Sequence, residues 1–162
     1  MKPSPVRALV PTLALAVCLG CGNAEIEPFL GKWNGGFVAE EAAGASKRDN
    51  LTGYLQVYRT QDRFELFLQG EQQSVTAKGT WSAEKSRITL TVLDLKVDDG
   101  GGEQGRDLSK RFIPADDLKA AYTGKLALDL GPDKLRLKGL KTNVGGLVGV
   151  HEFQKVTHKY TY

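Results

Sequence analysis

The sequence predicts an all-β fold, a single eight-stranded antiparallel up-and-down barrel with one long loop or short helix between strands 5 and 6. Three observations predict it. Apolar and polar residues alternate over eight separate stretches, the period of a strand with one buried face. Most of these stretches are joined by a few turn-forming residues, which favours hairpins over parallel crossovers. Eight strands in a meander can also close on themselves and leave no exposed edge, around an interior that side chains fill or that holds one small ligand.

The first stretch places Trp33, Gly35, Phe37 and Ala39 on one face. Residues 40–50, rich in Ala, Gly and charge, read as a loop. Leu51, Gly53, Leu55 and Val57 then alternate with Thr52, Tyr54, Gln56 and Tyr58, before a turn at 60–62. Phe64, Leu66 and Leu68 form the third face, and Val75, Ala77, Gly79 and Trp81 the fourth. Ile88, Leu90 and Val92 form the fifth. The regular pattern breaks between Lys96 and Ala121. Asp98 to Gly102 reads as a turn or loop, 107–112 as one helical turn ended by Pro114, and 116–121 as another with Asp116 and Asp117 near its start, where the helix dipole favours acidic groups. Tyr122, Gly124, Leu126, Leu128 and Leu130 form the sixth face, Leu135 and Leu137 the seventh, and 147–156 the last strand after a turn at 142–146. The glycines Gly53, Gly79 and Gly124 share faces with apolar residues, where they are expected to mark tight bends or close approaches.

The N-terminus carries a different message. Lys2 and Arg7 precede an apolar run, Ala8 to Val17, and no acidic residue occurs before Glu25. That run is shorter than the roughly 20 residues a spanning helix needs, and the pattern is that of a secretory signal. Its ending, Leu19-Gly20-Cys21, resembles the lipobox of bacterial lipoproteins, with Cys18 at the position where that family usually has Leu. The resemblance implies that Cys21 is acylated and becomes the first mature residue. The alternative is an ordinary signal cut after Ala24. A redox role for Cys18 and Cys21 is set aside, because no strand–helix context follows. The resulting organisation is a signal peptide over 1–20, a tether over 21–28, a barrel over 29–156 and a tail over 157–162.

Composition narrows the function classes. The 20 residues before Cys21 leave 142 of the 162, enough for one domain with a real core. Lys2 and Arg7 leave with the signal, so the 22 basic residues fall to 20 against 19 acidic ones, well mixed along the chain. This argues against nucleic acid as a partner and against a polybasic membrane patch. No cysteine follows Cys21, so packing and hydrogen bonding must hold the exported domain without disulfides.

Gly31-Lys32-Trp33, preceded by Phe29-Leu30 and joined to the strand count, resembles the opening of the lipocalin and fatty-acid-binding superfamily. The resemblance covers about residues 29–156. It implies a barrel whose base is plugged by Trp33, packed on a basic residue of the last strand, with Lys155 the best-placed counterpart and Lys159 second. The chain departs from the family in lacking disulfides and in leaving no room for a helix after Val156.

No catalytic set emerges, and no enzyme activity, metal or cofactor is expected. His151 and Glu152 point to opposite faces of a regular strand, and His158 is the only other histidine. Asp98, Asp99 and Glu103 do not match a calcium loop. Asn50-Leu51-Thr52 is a glycosylation sequon that is idle in a bacterium. Tyr54 and Tyr58 face outward with Gln56, as cross-strand pairs or as an aromatic patch for a partner.

Two functions remain. One is a lipid-anchored envelope lipoprotein binding a small hydrophobic ligand inside the barrel, with Trp33, Phe37, Leu55, Val57 and Leu66 among the interior candidates and Leu68, Trp81, Leu90, Leu126 and Leu128 completing them. The other is a non-enzymatic interaction module, an inhibitor, scaffold or assembly factor of the envelope, whose interior is packed. Both place the protein at a membrane through its lipid. Gly22 after the cysteine points, by the lipoprotein resemblance, to the outer membrane, facing the periplasm or the cell surface.

Overall fold

A computed structural model describes residues 25–40, 49–100, 107, 110 and 112–157. The expected signal segment, the expected lipidation residue Cys21, most of the 40–50 loop, Glu103, half of the 107–112 turn and the tail with His158 and Lys159 lie outside these residues.

After a short 3-10 turn, Glu27–Phe29, the strands are β1 (Gly31–Ala39), β2 (Leu51–Val57), β3 (Arg63–Gln69), β4 (Ser74–Glu84) and β5 (Arg87–Asp98). Helix α1 (Ala115–Tyr122) follows, then β6 (Lys125–Leu130), β7 (Arg136–Gly139), β8 (Thr142–Val144) and β9 (Leu147–Lys155). Each pairs antiparallel with the next through β7, and β9 returns to pair with β1 from Trp33↔Lys155 to Ala39↔Gly149. The barrel is therefore closed, and it is compatible with the lipocalin-like architecture the sequence resembles.

Nine strand segments make eight staves. The 142–146 stretch, expected as a turn, holds β8 and then a two-residue turn at Gly145 and Gly146. β9 is long enough to pair with β7 through Glu152, Phe153 and Gln154 and with β8 through Leu147, Val148 and Gly149. Thus β7 and β8 are two parts of one stave, interrupted at Leu140 and Lys141.

Two further expectations need correction. β5 continues through Lys96, where the regular pattern was expected to break, to Asp98, and a bulge between Lys78 and Gly79 lets β4 and β5 resume pairing from Lys78↔Asp94 to Ser74↔Asp98. The unpaired residue of the bulge, Leu93, is 72% exposed. Tyr122 and Gly124 are not strand residues. Tyr122 ends α1, where it shares the buried face with Leu118 four residues earlier. Gly124 takes a φ of +94° and turns the chain into β6.

At this end β6 reaches only Thr91 on β5. The interval between the far half of β5 and β8 has no connecting strand among the described residues. Helix α1 packs against both, with Leu118 fully buried. It serves as a helical piece of the wall at the end opposite Trp33. Leu118 N–H bonds back to Pro114 O at 3.0 Å, so the helix starts at the proline, whose fixed φ suits a helix start but whose side chain offers no cap.

The close approaches expected of Gly53 and Gly79 are present. A Cβ on Gly53 would lie 1.9 Å from the carbonyl oxygen of Phe67, and one on Gly79 1.9 Å from that of Thr91. Gly53→Ala is therefore expected to lower stability by about 1–3 kcal/mol, the range for overpacking a tight site. Urea denaturation would check this, with a shifted midpoint at unchanged slope as the expected result.

Candidate functional site

Alternation sends one side chain in two into the barrel, and the inward ones form a single apolar cluster. Of the ten interior candidates, Trp33, Phe37, Leu55, Val57, Leu66, Leu68, Trp81, Leu90 and Leu128 are buried. Leu126 lies at the margin, partly buried against the same cluster.

The base is built around Trp33. Its indole N–H donates to the carbonyl of Phe29 at 2.8 Å. The Lys155 ammonium lies 5.2 Å from the Trp33 ring centroid and donates to the Pro28 carbonyl at 2.7 Å. The basic counterpart implied by the Gly-x-Trp resemblance is thus Lys155. Burial pushes its ammonium pKa down, and Glu27 opposes that shift. Trp81 is a second plug, its N–H donating to the Tyr58 carbonyl at 2.8 Å and tying the 58–62 turn to the wall.

The other end contains a buried polar pair. His151, on β9, is 2% exposed and lies opposite Phe37 on β1. Its Nε2 shares a hydrogen bond of 2.9 Å with the Tyr122 hydroxyl from α1. The Phe37 ring centroid lies 5.5 Å from His151, and Tyr122 meets the imidazole edge-on at 5.4 Å. Whichever ring nitrogen carries the proton, Nδ1 has no hydrogen-bond partner among the described residues. Burial pushes the His151 pKa down to about 4 and raises that of the Tyr122 phenol. Both side chains are therefore neutral at physiological pH. Glu152 points outward, as expected, and bonds Lys138 at 2.6 Å instead.

Sequence reasoning misses this pair: it gives His151 a structural or surface role rather than a metal, without naming a partner, and it places Tyr122 on a strand. The alternation of Leu147, Gly149, His151 and Phe153 was the signal that placed the histidine inside. Among the described residues, no group of three or more His, Cys, Asp or Glu is arranged to hold a metal.

Among the described residues, the interior is occupied by buried apolar side chains. A void beside Leu66, Leu90, Tyr122 and Leu126 and another beside Leu51, Gln73, Ile113 and Leu147 each measure about 10 Å³. That is no more than the room for one water. The larger hollows lie on the outer wall. One, of about 530 Å³, runs over the β4–β5 bulge between Tyr58, Arg63, Lys78 and Leu93. Another, of about 370 Å³, crosses the outer faces of β1, β9 and β7 between Val38, Arg136 and Glu152.

Of the two outward tyrosines, Tyr54 belongs to a cross-strand cluster. Its ring lies 5.8 Å from Phe67, its registered partner, and its hydroxyl donates to Glu65 at 2.7 Å. The Lys32 ammonium lies 4.7 Å from its centroid. The Tyr54 hydrogen bond, then Lys78, lower the Glu65 pKa. Tyr58 stands apart, beyond the end of β2.

Compared with known proteins, the chain matches no family model, no curated protein and no solved structure. The interior chemistry must therefore be judged from its own geometry, and His151 offers a direct measurement. An unfolded chain protonates this histidine near pH 6.5, whereas the folded chain resists until about pH 4. Between those values the unfolded state binds more protons, so stability falls as pH drops through that window. The shift corresponds to about 3 kcal/mol, present in full above pH 6.5. His151→Phe should cost stability at neutral pH, where Tyr122 loses its partner, yet reduce the fall between pH 6.5 and 4. Urea denaturation above, within and below that window is the measurement.

Proposed function

We propose that the protein is a bacterial envelope lipoprotein, anchored through acylated Cys21, whose barrel is a non-enzymatic module that meets a protein partner through its outer surface. The observation that carries this reading is the filled interior. Trp33, Phe37, Leu66 and Leu128 occupy the space a ligand would need, and the adjoining voids hold about 10 Å³ each. The anchor rests on Leu19-Gly20-Cys21 behind a basic and apolar leader. Gly22 after the cysteine favours the outer membrane. The near-neutral, well-mixed charge of the mature chain favours a protein partner over nucleic acid.

The carrier reading has its own support. A closed barrel is consistent with ligand binding, and helix α1, rather than a strand, completes the wall beside the half-satisfied His151–Tyr122 pair. Outward movement of α1 would open the interior to a small apolar ligand.

Native mass spectrometry on the protein expressed from Gly22 onward and exposed to an envelope lipid extract separates the two. A bare protein mass is expected. A discrete added mass, lost on Leu66→Trp, would overturn the packed-module reading in favour of the carrier. Leu66→Trp or Leu128→Trp should also cost about 1–3 kcal/mol by overpacking, read by chemical denaturation, whereas a barrel with spare volume would accept either change. Separately, Cys21→Ser should move the protein from the membrane to the soluble envelope fraction. Unchanged membrane association would sink the anchor.

A further inference from the structure

We infer that the Trp33 end of the barrel sits on the lipid surface and that the α1 end points away from it. The inference rests on the proposed acylation of Cys21, and it adds which part of the domain touches the membrane.

The first argument is reach. Residues 25–30 are held to the base of the barrel at several points. Phe29 is fully buried, and its carbonyl accepts from Trp33. Lys155 donates to Pro28 O, Glu27 pairs with Arg59, and Ile26 packs against the core. Four residue steps separate Glu25 from Cys21, which span at most about 14 Å. β9 runs from Leu147 near α1 to Lys155 at the base, a length of about 26 Å at the rise of a strand. Allowing for the tilt of barrel strands, the α1 end stands about 20 Å beyond the base. A chain leaving the base cannot cover that distance with 14 Å, so the α1 end cannot be the end on the lipid.

The second argument is the rim around the exit point. Four strand ends lie side by side there. Lys155 N bonds Leu135 O, Val156 N bonds Lys32 O, and Gly31 pairs with Val57. At the two ends of this arc stand Leu135 and Tyr58, 40% and 46% exposed, with Leu30 and Val156 half-buried between them. Tyr is suited to a membrane interface because its ring is apolar and its hydroxyl stays wet. Arg59 and Lys134 adjoin Tyr58 and Leu135, and their long stems can lie along apolar surface with the charge in the headgroup layer. Asp62, Asp133 and Glu27 share the same base, so apolar contact rather than a polybasic patch makes the fit.

The test uses the full mature chain, acylated, in phosphatidylethanolamine–phosphatidylglycerol vesicles that carry a quencher on their acyl chains. A fluorophore is placed on Lys134→Cys at the base or on Asp117→Cys on the exposed face of α1. The Lys134 label should lose fluorescence and shift to the blue, and the Asp117 label should do neither. Adding Tyr58→Ser and Leu135→Ser should restore the Lys134 signal while the protein stays bound through its lipid. Quenching at Asp117, or none at Lys134, in a chain whose intact mass shows the acyl group overturns this orientation alone. A chain whose mass shows no acyl group at Cys21 overturns the anchor and the orientation together.

Discussion

The pairing of β1 with β9 is the constraint on which the rest depends. Seven registered residues, from Trp33↔Lys155 to Ala39↔Gly149, join the two ends of the described chain. Without them the sheet would have two long edges and an apolar face open to water, the arrangement that invites aggregation. With them, side chains that alternate along separate strands become one enclosed cluster. The same pairing brings Lys155 over Trp33 and sets His151 opposite Phe37. Both ends of the interior are therefore consequences of one seam.

The two ends are closed by different chemistry. At the base, every prominent polar group is satisfied, with Trp33, Trp81 and Lys155 all donating to backbone carbonyls of turn residues. This locks the turns to the wall. At the far end a short helix takes the place of a strand, and it brings Tyr122 to His151. There, among the described residues, Nδ1 of His151 is left without a partner, and so is Oε1 of Gln73. A partly satisfied polar group in an apolar interior costs stability. The α1 end is thus the less well satisfied of the two, the more so because α1 has no side-chain cap at its start. Exposure follows the same division, since the helix presents Asp116, Asp117 and Lys119 outward while burying only Leu118 and Tyr122. If the base faces the lipid, this is the end left free for the partner proposed above.

Most of the fold was legible because strand alternation reports burial directly. Leu55, Leu66, Leu68 and Leu90 sit in the interior for the reason their spacing implied, and Gly53 and Gly79 mark close backbone approaches as glycine within a strand suggested. Errors arose where local pattern and tertiary pairing disagree. Thr142, Asn143 and Val144 have turn-like neighbours, but the length of β9 offers them a partner. Tyr122 fits a strand period and a helix period equally, and its burial with Leu118 resolves the ambiguity. Leu93 keeps its apolar character yet lies exposed, since a bulge breaks the alternation there and no residue-type rule locates a bulge.

The amino-acid order was enough to determine eight staves with a tryptophan plug, in a chain that has no cysteine after Cys21 and carries well-mixed charges. These are properties of local composition and period, and short-range physics suffices for them. Whether the interior is hollow or filled was a different matter. It depends on barrel diameter, on how Trp33, Phe37 and Trp81 share the space, and on whether α1 lies in the wall or away from it. All three are set by contacts between residues far apart in the chain. The meeting of His151 with Tyr122, 29 positions earlier, arises in the same way, from a closed seam and a helix docked across it.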